Sequence, residues 1–520
     1  MDCLVGIDLG STSLKAVVYD VRGKVMASAS RPTERFHPDA THPDWTVWQP
    51  EQIWGGTAEA LREAVGRLDN PAGIRAVAVT GMGMDGVPVD ADGHWLYPFI
   101  SWLDPRTAPQ LEWWKANIGA DKVFSIGGNP LWAINSALRI LWMKEHEPRI
   151  LARADKWLLI EDFLNFMLCG RRATDYSMAS CTLLFDQRRL AWSDEMLKLA
   201  GLPRSLMPDA YPSGTVLGKV TSTAAQATGL LEGTPVVLGG HDHLCGALPV
   251  GAFKPGVVLD VTGTWEIVST SISRPVLTPQ VHKAGLTIQA HVARGVHAAW
   301  ASTPAGESLE WFRNQLCAAQ GGDRQPISQG PEIGVSPRWE ALMREAAQSP
   351  AGAGGVLFLP HLSGSTCPVV DPHSRGAFTG LRSLTTRGDL LRAIIEGLDY
   401  QFLDMLNSFE AGLGTKVERI VAVGGATKNE FWMQNKADVV GKTIEAPEIE
   451  EATPLGAALL AGIGAGIYRD EQEACERVVK PGRVYSPNAA LAKTYAEGFA
   501  AYRQLYPALK NVMLKGRLSG

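Results

Sequence analysis

An α/β architecture of two large domains is what this sequence predicts, and three observations carry that reading. The chain has 520 residues, too many for one ordinary core, so two domains are the default. Strand-like β-branched runs alternate with segments of helical apolar spacing along most of its length. One local plan, strand–Asp–hydroxyl/Gly turn–strand, occurs twice: "GIDLGSTSLKAVV" near the start and "VLDVTGTWEIVST" near the middle. The plainer reading is two unrelated hairpins. The sharper one is a duplicated domain, each copy bringing a phosphate loop to a shared cleft. The hairpins alone leave both open.

The elements follow in order. "CLVGID" is a β-rich run, "LGST" is turn-like, "LKAVVYD" alternates, "VRG" turns and "KVMASAS" continues. "IRAVAVTGMGMDG" is a strand running into a glycine-rich turn. "NSALRILWMKEHEPRIL" has helical spacing, with Leu138, Leu141 and Trp142 on one face and a Pro that ends or restarts it. "VVLGGHDHLCGALPVG" is a buried strand ending in two glycines and a carboxylate between two histidines. The second hairpin, residues 256–271, again reaches an Asp, Asp260, before its turn. Residues 318–350 are the least patterned and read as loop or insertion. "GDLLRAIIEGLDYQFLDML" is a long amphipathic helix with Leu391, Ile394, Ile395, Leu398 and Phe402 on one side. "ERIVAVGGATKNEFWMQNKADVVG" reads as strand, Gly-Gly loop and helix, with Asn429 as N-cap. In "EATPLGAALLAGIGAG", Thr453 is placed at the N-cap and Pro454 at the first helical position, and the small residues suit close packing.

Composition narrows the classes. A net charge of −5 leaves no basic footprint for nucleic acid. The seven cysteines are scattered without a CxxC pair, which suits free thiols in a reducing compartment. "MDCLVGIDLG" is a poor signal peptide and no apolar run approaches a membrane span. The expectation is a cytoplasmic protein.

Several residue groups carry chemistry. Gly10, Ser11, Thr12 and Ser13 in the first turn, and Thr262, Gly263 and Thr264 in the second, could surround phosphate oxygens with amides and hydroxyls, and Lys15 could add charge. A plain β-turn explains either one equally. The P-loop pattern GxxxxGK[ST] is absent. Asp8 and Asp242 end strands near the two loops. Such carboxylates can hold nucleotide-borne Mg²⁺ or take a proton from a sugar hydroxyl. They can equally hydrogen-bond the next turn and do nothing more. "VGGATKN" could admit a flat base or ribose, or be only a tight turn. His241 and His243 have a rival reading as the start of a barrel-hydrolase metal site, which would need further histidines from among His282, His291, His297, His361 and His373 at later strand ends.

Taken together, these segments resemble the FGGY family of carbohydrate kinases, in order along nearly the whole chain. "GIDLGSTSLKAVVYD" is similar to the first phosphate motif, "WLDPR" to a sugar-site segment, and "ALRILWMKEHEP" to a family signature, with Arg139 where Lys is usual. "TDYSMASCTLLFD" follows. "GGHDHLCGALPVG" resembles the segment that holds the catalytic Asp, and "DVTGTWEIVST" the second phosphate motif. "PHLSGSTCPVVDPHSRGAFTGL" and "VGGATKNEFWMQNKAD" resemble the C-terminal signatures.

The resemblance implies two ribonuclease H-like, actin-like ATPase domains, residues 1–248 and 249–520, with a ligand cleft between them. It implies ATP and Mg²⁺ as cofactors and a sugar or polyol as substrate, with no nucleic-acid or membrane partner and a homodimer left open. Asp242 would be the general base, and Asp8, with Asp242, would place Mg²⁺. Gly10, Thr12, Ser13, Lys15, Thr262, Gly263 and Thr264 would line the phosphates. Gly424, Gly425 and Asn429 would receive the adenosine. Met84, Asp85, Asp104, Arg106, Asp242 and His243 would meet the sugar. The xylulokinase-like branch carries Gln-Met-His-Gly where this chain has "GMGMDG", with Asp85 at the His position. Here, and in "YPFISW" and "GTWEI", the chain looks more like the L-fuculokinase and rhamnulokinase branches, implying an L-fuculose-like ketose phosphorylated on a terminal hydroxyl. It departs from the L-fuculokinase segment after "GHD", which keeps xylulose, rhamnulose or a tetritol in view.

Overall fold

A computed structural model describes residues 1–317, 337–449 and 451–515. In chain order, β1 (Cys3–Leu9), β2 (Ser13–Asp20), β3 (Val25–Pro32), β4 (Ile74–Gly81), β5 (Val216–Lys219) and β6 (Pro235–His241) form one sheet, in spatial order β5-β6-β4-β1-β2-β3. A second sheet contains β7 (Val257–Thr262), β8 (Trp265–Ile272), β9 (Thr287–Ala290), β10 (His297–Pro304), β11 (Arg419–Val423), β12 (Ile444–Ala446) and β13 (Arg483–Tyr485), in the order β9-β10-β8-β7-β11-β12-β13.

The two sheets repeat one plan. β1, β2 and β3 are antiparallel neighbours, and β4 and then β6 add on in parallel. Likewise β7, β8 and β10 are antiparallel, with β11 and β12 parallel beyond β7. The two strand–Asp–turn–strand segments are the β1–β2 and β7–β8 hairpins, so the duplication in the sequence is a duplication of fold.

The helices used below are α1 (Pro50–Gly66), α2 (Ser136–His146), α3 (Ile160–Cys169), α4 (Tyr176–Ser180), α5 (Asp242–Ala247), α6 (Pro337–Gln348), α7 (Arg387–Leu413), α8 (Glu430–Val440) and α9 (Ala452–Gly464). α1 starts with Pro50, whose missing N–H costs nothing at that position, and buries Ile53, Ala60, Leu61 and Ala64. α7 opens with a reciprocal capping box between Thr386 and Asp389 and closes on Gly414 in the left-handed conformation. Its predicted stripe, Leu391, Ile394, Ile395, Leu398 and Phe402, is buried in the core of the second sheet. Between β4 and β5 the chain leaves the first sheet and builds a core of its own around Trp114, Leu138, Leu141, Leu184 and Phe185. This region carries the predicted sugar-site segments into place.

α9 comes from the late part of the chain yet packs on β1, β4 and β6 of the first sheet. The approach is close enough that a Cβ on Gly6 would collide with the Pro454 carbonyl, and one on Gly456 with the Cys245 carbonyl. Small residues in "PLGAALLAG" serve this contact, as expected. The predicted start of this helix needs correction. α9 begins at Ala452, which puts Thr453 and Pro454 inside the first turn, and Glu451 flanks it with φ +54 and no side-chain cap. Glu451 is held there by Lys15, whose Nζ lies 2.8 and 2.7 Å from its carboxylate oxygens, and by the Tyr19 hydroxyl on its carbonyl at 3.2 Å. The loop expected over residues 318–350 is also revised: α6 occupies Pro337–Gln348 and buries Trp339 and Ala346, while residues 318–336 lie outside the described residues. All seven cysteines are free thiols. Among the described residues no helix is long and apolar enough to cross a membrane.

Candidate active site

β1, β4 and β6 run parallel, and their register sets Asp8 beside Thr80 and Thr80 beside Gly240. Asp242, two residues past Gly240, opens α5. Asp8 and Asp242 therefore emerge at the same edge of the first sheet, where ligands of open α/β sheets collect. Asp8 senses Asp242. Burial, and next the charge of Asp242, push the Asp8 carboxyl up to about 7, against the opposing pull of Lys15. Lys15 is the cross-strand partner of Asp8 in the β1–β2 ladder.

Asp242 keeps 39 % of its side chain exposed. One oxygen, Oδ1, is crowded: it accepts the His243 backbone N–H at 2.6 Å and lies 3.4 Å from His243 Nδ1 and 3.7 Å from His241 Nε2. Burial alone would raise this carboxyl. The His243 hydrogen bond and the two imidazoles outweigh it and hold the group below its ordinary value. The strand end itself is tied down from behind. The His241 N–H donates to Ser177 Oγ at 2.9 Å, and Ser177 donates to Asp175, the N-cap of α4. "TDYS" thus acts as a clamp on the strand that delivers Asp242.

His241 is buried with Nδ1 facing Cys181 Sγ at 3.6 Å and Gln289 Nε2 at 3.2 Å. Burial, helped by His243, lowers its pKa to about 3 and keeps it neutral. His243 lies edge-on to His241 at 4.3 Å and against Trp300 at 5.0 Å between ring centroids. Gln289 and Trp300 come from β9 and β10 of the second sheet. His241, Asp242 and His243 form a cluster whose donor atoms could meet one ion, but none of His282, His291, His297, His361 and His373 joins it among the described residues. The further histidines that a barrel-hydrolase site needs are missing from it, and that alternative is withdrawn.

The predicted sugar residues lie on the loop after β4 and in the inserted region. This loop passes directly beside His241: a Cβ on Gly83 would meet its Nε2 at 2.7 Å. Met84 is held by Asn135 Nδ2 on its sulfur at 3.8 Å and by Ser136 Oγ on its carbonyl at 2.6 Å. Asp85 is fully buried. Trp48 Nε1 donates to its Oδ2 at 2.7 Å, Arg139 Nε lies 3.9 Å from Oδ1, and Oδ1 has no hydrogen-bond partner among the described residues. Burial pushes its carboxyl up to about 6 despite Arg139 and Trp48. Arg139 is a buried residue of α2 whose guanidinium donates to the carbonyls of Ile100 and Ser101 at 2.9 Å each, and to that of Ile134.

Asp104 and Arg106 form a closed pair. Asp104 accepts from Arg106 N, Nε and Nη2 at 2.9, 2.8 and 2.6 Å, and from the Thr46 N–H at 2.6 Å. The guanidinium stacks on Trp45 at 4.1 Å and Trp142 at 4.9 Å. This geometry ties the loop that carries Trp48 to α2.

A cleft of about 970 Å³ opens between the two sheets, lined by Lys15, Ser28 and Ser30 from one side and by Val261, Gly424 and Gly425 from the other. Glu451 and Thr453 close it along α9. Gly424 has φ +99, a conformation that favours glycine, and a Cβ there would stand 2.9 Å from the Thr262 carbonyl. The Gly-Gly loop and the second phosphate loop therefore touch. The Gly10–Ser13 turn is closed by the Gly10 N–H on the Ser13 carbonyl at 3.1 Å, and Thr12 is exposed at its tip. In the second turn the Gly263 N–H bonds the Trp265 carbonyl at 2.9 Å, and the Thr264 carbonyl accepts the Ala305 N–H at 3.0 Å. Asn429 caps α8 through the Trp432 N–H at 3.1 Å, leaves its Nδ2 without a partner among the described residues, and faces an adjoining depression of about 450 Å³.

The Thr262 hydroxyl turns inward. It donates to Asp260 Oδ1 at 2.7 Å, in a buried cluster where Lys436 Nζ reaches Asp260 and Glu266 at 2.6 Å each and Thr262 Oγ1 at 3.2 Å. Burial opposes the Lys436 charge, but Asp260, Glu266 and Asp399 outweigh it and raise its pKa. Sequence reasoning missed this lysine, together with Trp48, Ser177, Gln289 and Trp300, and it singled out Arg139 without a role. Nothing local marks the others.

Comparison with known proteins agrees with this geometry. The N-terminal domain of the FGGY family of carbohydrate kinases matches residues 3–249, and the C-terminal domain of the same family matches residues 259–465. L-fuculokinase of Escherichia coli (strain K12) is 29 % identical over 486 residues, covering 94 % of this chain and 97 % of its own. Xylulose kinase of Bacillus subtilis (strain 168) is 28 % identical over 518 residues, covering 98 % of each chain. Among solved structures, xylulose kinase from Rhodospirillum rubrum superposes with a TM-score of 0.87 at 27 % identity, covering 98 % of this chain and 99 % of its own. The chain belongs to the FGGY family of carbohydrate kinases, phosphotransferases with an alcohol group as acceptor.

Proposed function

We propose that this carbohydrate kinase transfers the γ-phosphoryl group of ATP to a terminal hydroxyl of an L-fuculose-like ketose, with Asp242 as the general base. The observation that carries this reading is the convergence of Asp8 and Asp242 at one sheet edge, where the charge of Asp242 helps to raise the Asp8 carboxyl. Oδ1 of Asp242 accepts the His243 backbone N–H and faces both imidazoles, which leaves Oδ2 to accept the proton of the attacking alcohol. ATP would enter the cleft between the sheets, its phosphates toward Lys15 and the Gly10–Ser13 turn and its adenosine toward Gly424, Gly425 and Asn429. Phosphoryl transfer asks mainly for alignment and charge neutralisation, and the base adds a smaller factor.

Two carboxylates repelling each other through hard oxygen donors fit a Mg²⁺ ion. Asp8, with Asp242 beside it, would hold it through water, and the ion would neutralise phosphate charge. Thr262, Gly263 and Thr264 act through the shape of their loop, since the Thr262 hydroxyl is committed to Asp260 and Lys436. Asp104 and Arg106 position Trp48 and α2 around the sugar, and the free Oδ1 of Asp85 meets a sugar hydroxyl, with Met84 and His243 completing the wall. We place the division between the two functional units at residues 248 and 249, with α9 reaching back across it.

Likeness to L-fuculokinase supports the ketose, as does Asp85 in place of the His of the xylulokinase-like branch. A screen of ketoses and polyols in a coupled ADP-release assay tests it. L-Fuculose as the best acceptor is the expected result; a clear preference for D-xylulose or a tetritol overturns the substrate while leaving the kinase intact.

A further inference from the structure

We propose that Gln289 is a positioning residue: its side-chain NH₂ donates to the acceptor nitrogens of both His241 and His243, turning both ring N–H groups onto a single oxygen of Asp242. The inference rests on the reading of Asp242 as base. Gln289 Nε2 stands 3.2 Å from His241 Nδ1 and 3.5 Å from His243 Nε2. An amide nitrogen carries two protons and can serve both rings. A ring nitrogen that accepts a hydrogen bond carries no proton, so in a neutral imidazole the opposite nitrogen must carry it. Those opposite nitrogens, His241 Nε2 and His243 Nδ1, are the two that face Asp242 Oδ1 at 3.7 and 3.4 Å. One amide thus sets two tautomers, and two N–H dipoles favour negative charge on Oδ1. Oδ2 is left as the oxygen that takes the substrate proton.

The reversed amide, with Oε1 toward the rings, would aim two imidazole lone pairs at a carboxylate oxygen, which is repulsive unless a cation lies between them. Cys181 Sγ, 3.6 Å from His241 Nδ1, can also donate to that nitrogen, in keeping with Nδ1 as acceptor. The placement of Gln289 matters as well. It sits on β9 of the second sheet, and β9 is fastened to the inserted region by the Ile288 N–H on the Gly128 carbonyl at 2.8 Å and by the Ala290 N–H on Ser180 Oγ at 3.2 Å. The base belongs to the first half of the chain, and the group that orients its histidines belongs to the second.

The test reads tautomers directly, by long-range ¹H–¹⁵N NMR on ¹⁵N-histidine-labelled full-length protein, with His241 and His243 assigned by single substitutions. The expected result is His241 protonated at Nε2 and His243 at Nδ1. The opposite tautomer at either ring overturns the proposal, as does a zinc or manganese ion retained by purified protein on these nitrogens. Gln289→Leu keeps the volume and removes both donors; kcat for ketose-dependent ADP release should fall about tenfold to 10²-fold with the KM for ATP unchanged, and the two tautomers should mix. Gln289→Glu puts an acceptor in place of the NH₂ and should invert the tautomers. Wild-type kcat and tautomers in Gln289→Leu overturn the proposal. The tautomers are read without turnover, so they stand or fall separately from Asp242 as base, which Asp242→Asn kinetics test alone.

Discussion

Asp85 would set what the proposed sugar site accepts. Its Oδ1 has no hydrogen-bond partner among the described residues, and Arg139 stands at 3.9 Å, too far to satisfy it fully. A buried acceptor left unpaired is costly, and a sugar hydroxyl would relieve that cost. Asp85→His replaces a two-oxygen acceptor with a ring of different reach, so the ranking of ketoses should change while the KM for ATP stays within about twofold of wild type, a difference below 1 kcal/mol. An altered ATP affinity with an unchanged sugar ranking would remove Asp85 from the sugar site. Asp8 makes a different prediction, in pH. Its folded pKa is raised to about 7, so between the unfolded carboxylate value and about 7 the folded state holds a proton that the unfolded chain has released. Stability is therefore lost as pH rises through that window. Asp8→Asn should stabilise the metal-free protein at pH 8, by about 2 kcal/mol at most given that Asp8 is only partly buried and each pKa unit is worth about 1.4 kcal/mol, and should do nothing at pH 4. Thermal melts at the two pH values check this; an equal shift at both would show that burial and Asp242 do not raise the carboxyl.

At the scale of elements, what the sequence revealed and what it concealed divide along range of interaction. The β1–β2 and β7–β8 hairpins were legible because β-branched runs, a terminal Asp and a Gly/hydroxyl turn are all local signals. The α7 stripe was legible because helical periodicity is local too. The start of α9 was misread because Glu451 takes its conformation from Lys15, 436 residues away. Long range also hid Lys436, whose partners lie 176 and 170 residues away. It looks like a surface residue of α8 until the fold brings it within 2.6 Å of Asp260 and Glu266. That cluster pins α8 beneath the second phosphate loop through Thr262. Lys436→Met strands two buried carboxylates and should cost about 3–5 kcal/mol, seen as a lower denaturation midpoint, together with a raised KM for ATP. Wild-type stability would mean the cluster is dispensable. The Asp242 strand end sits between these cases: the "GGHDH" segment announced itself, but Ser177 and Gln289, which hold its groups in place, gave no sign.

The whole molecule is two copies of one sheet plan with the proposed site residues split between them. The first sheet supplies Asp8, Lys15 and Asp242, the second supplies the Thr262–Thr264 and Gly424–Gly425 loops, and α9 crosses back to seal the first sheet. Shared groups at a two-part cleft imply that ligands draw the parts together and exclude water that would otherwise hydrolyse ATP. Small-angle scattering should show a smaller radius of gyration with ATP analogue and ketose both present than with neither; identical profiles would argue against closure. The account turns most directly on Asp242, and the decisive measurement is the kinetics of Asp242→Asn, which removes the base and keeps the size. ATP should bind as in wild type while ketose-dependent ADP release falls about 10²–10⁴-fold. Near-normal turnover would contradict the account, because the proton of the sugar alcohol would then be going somewhere else.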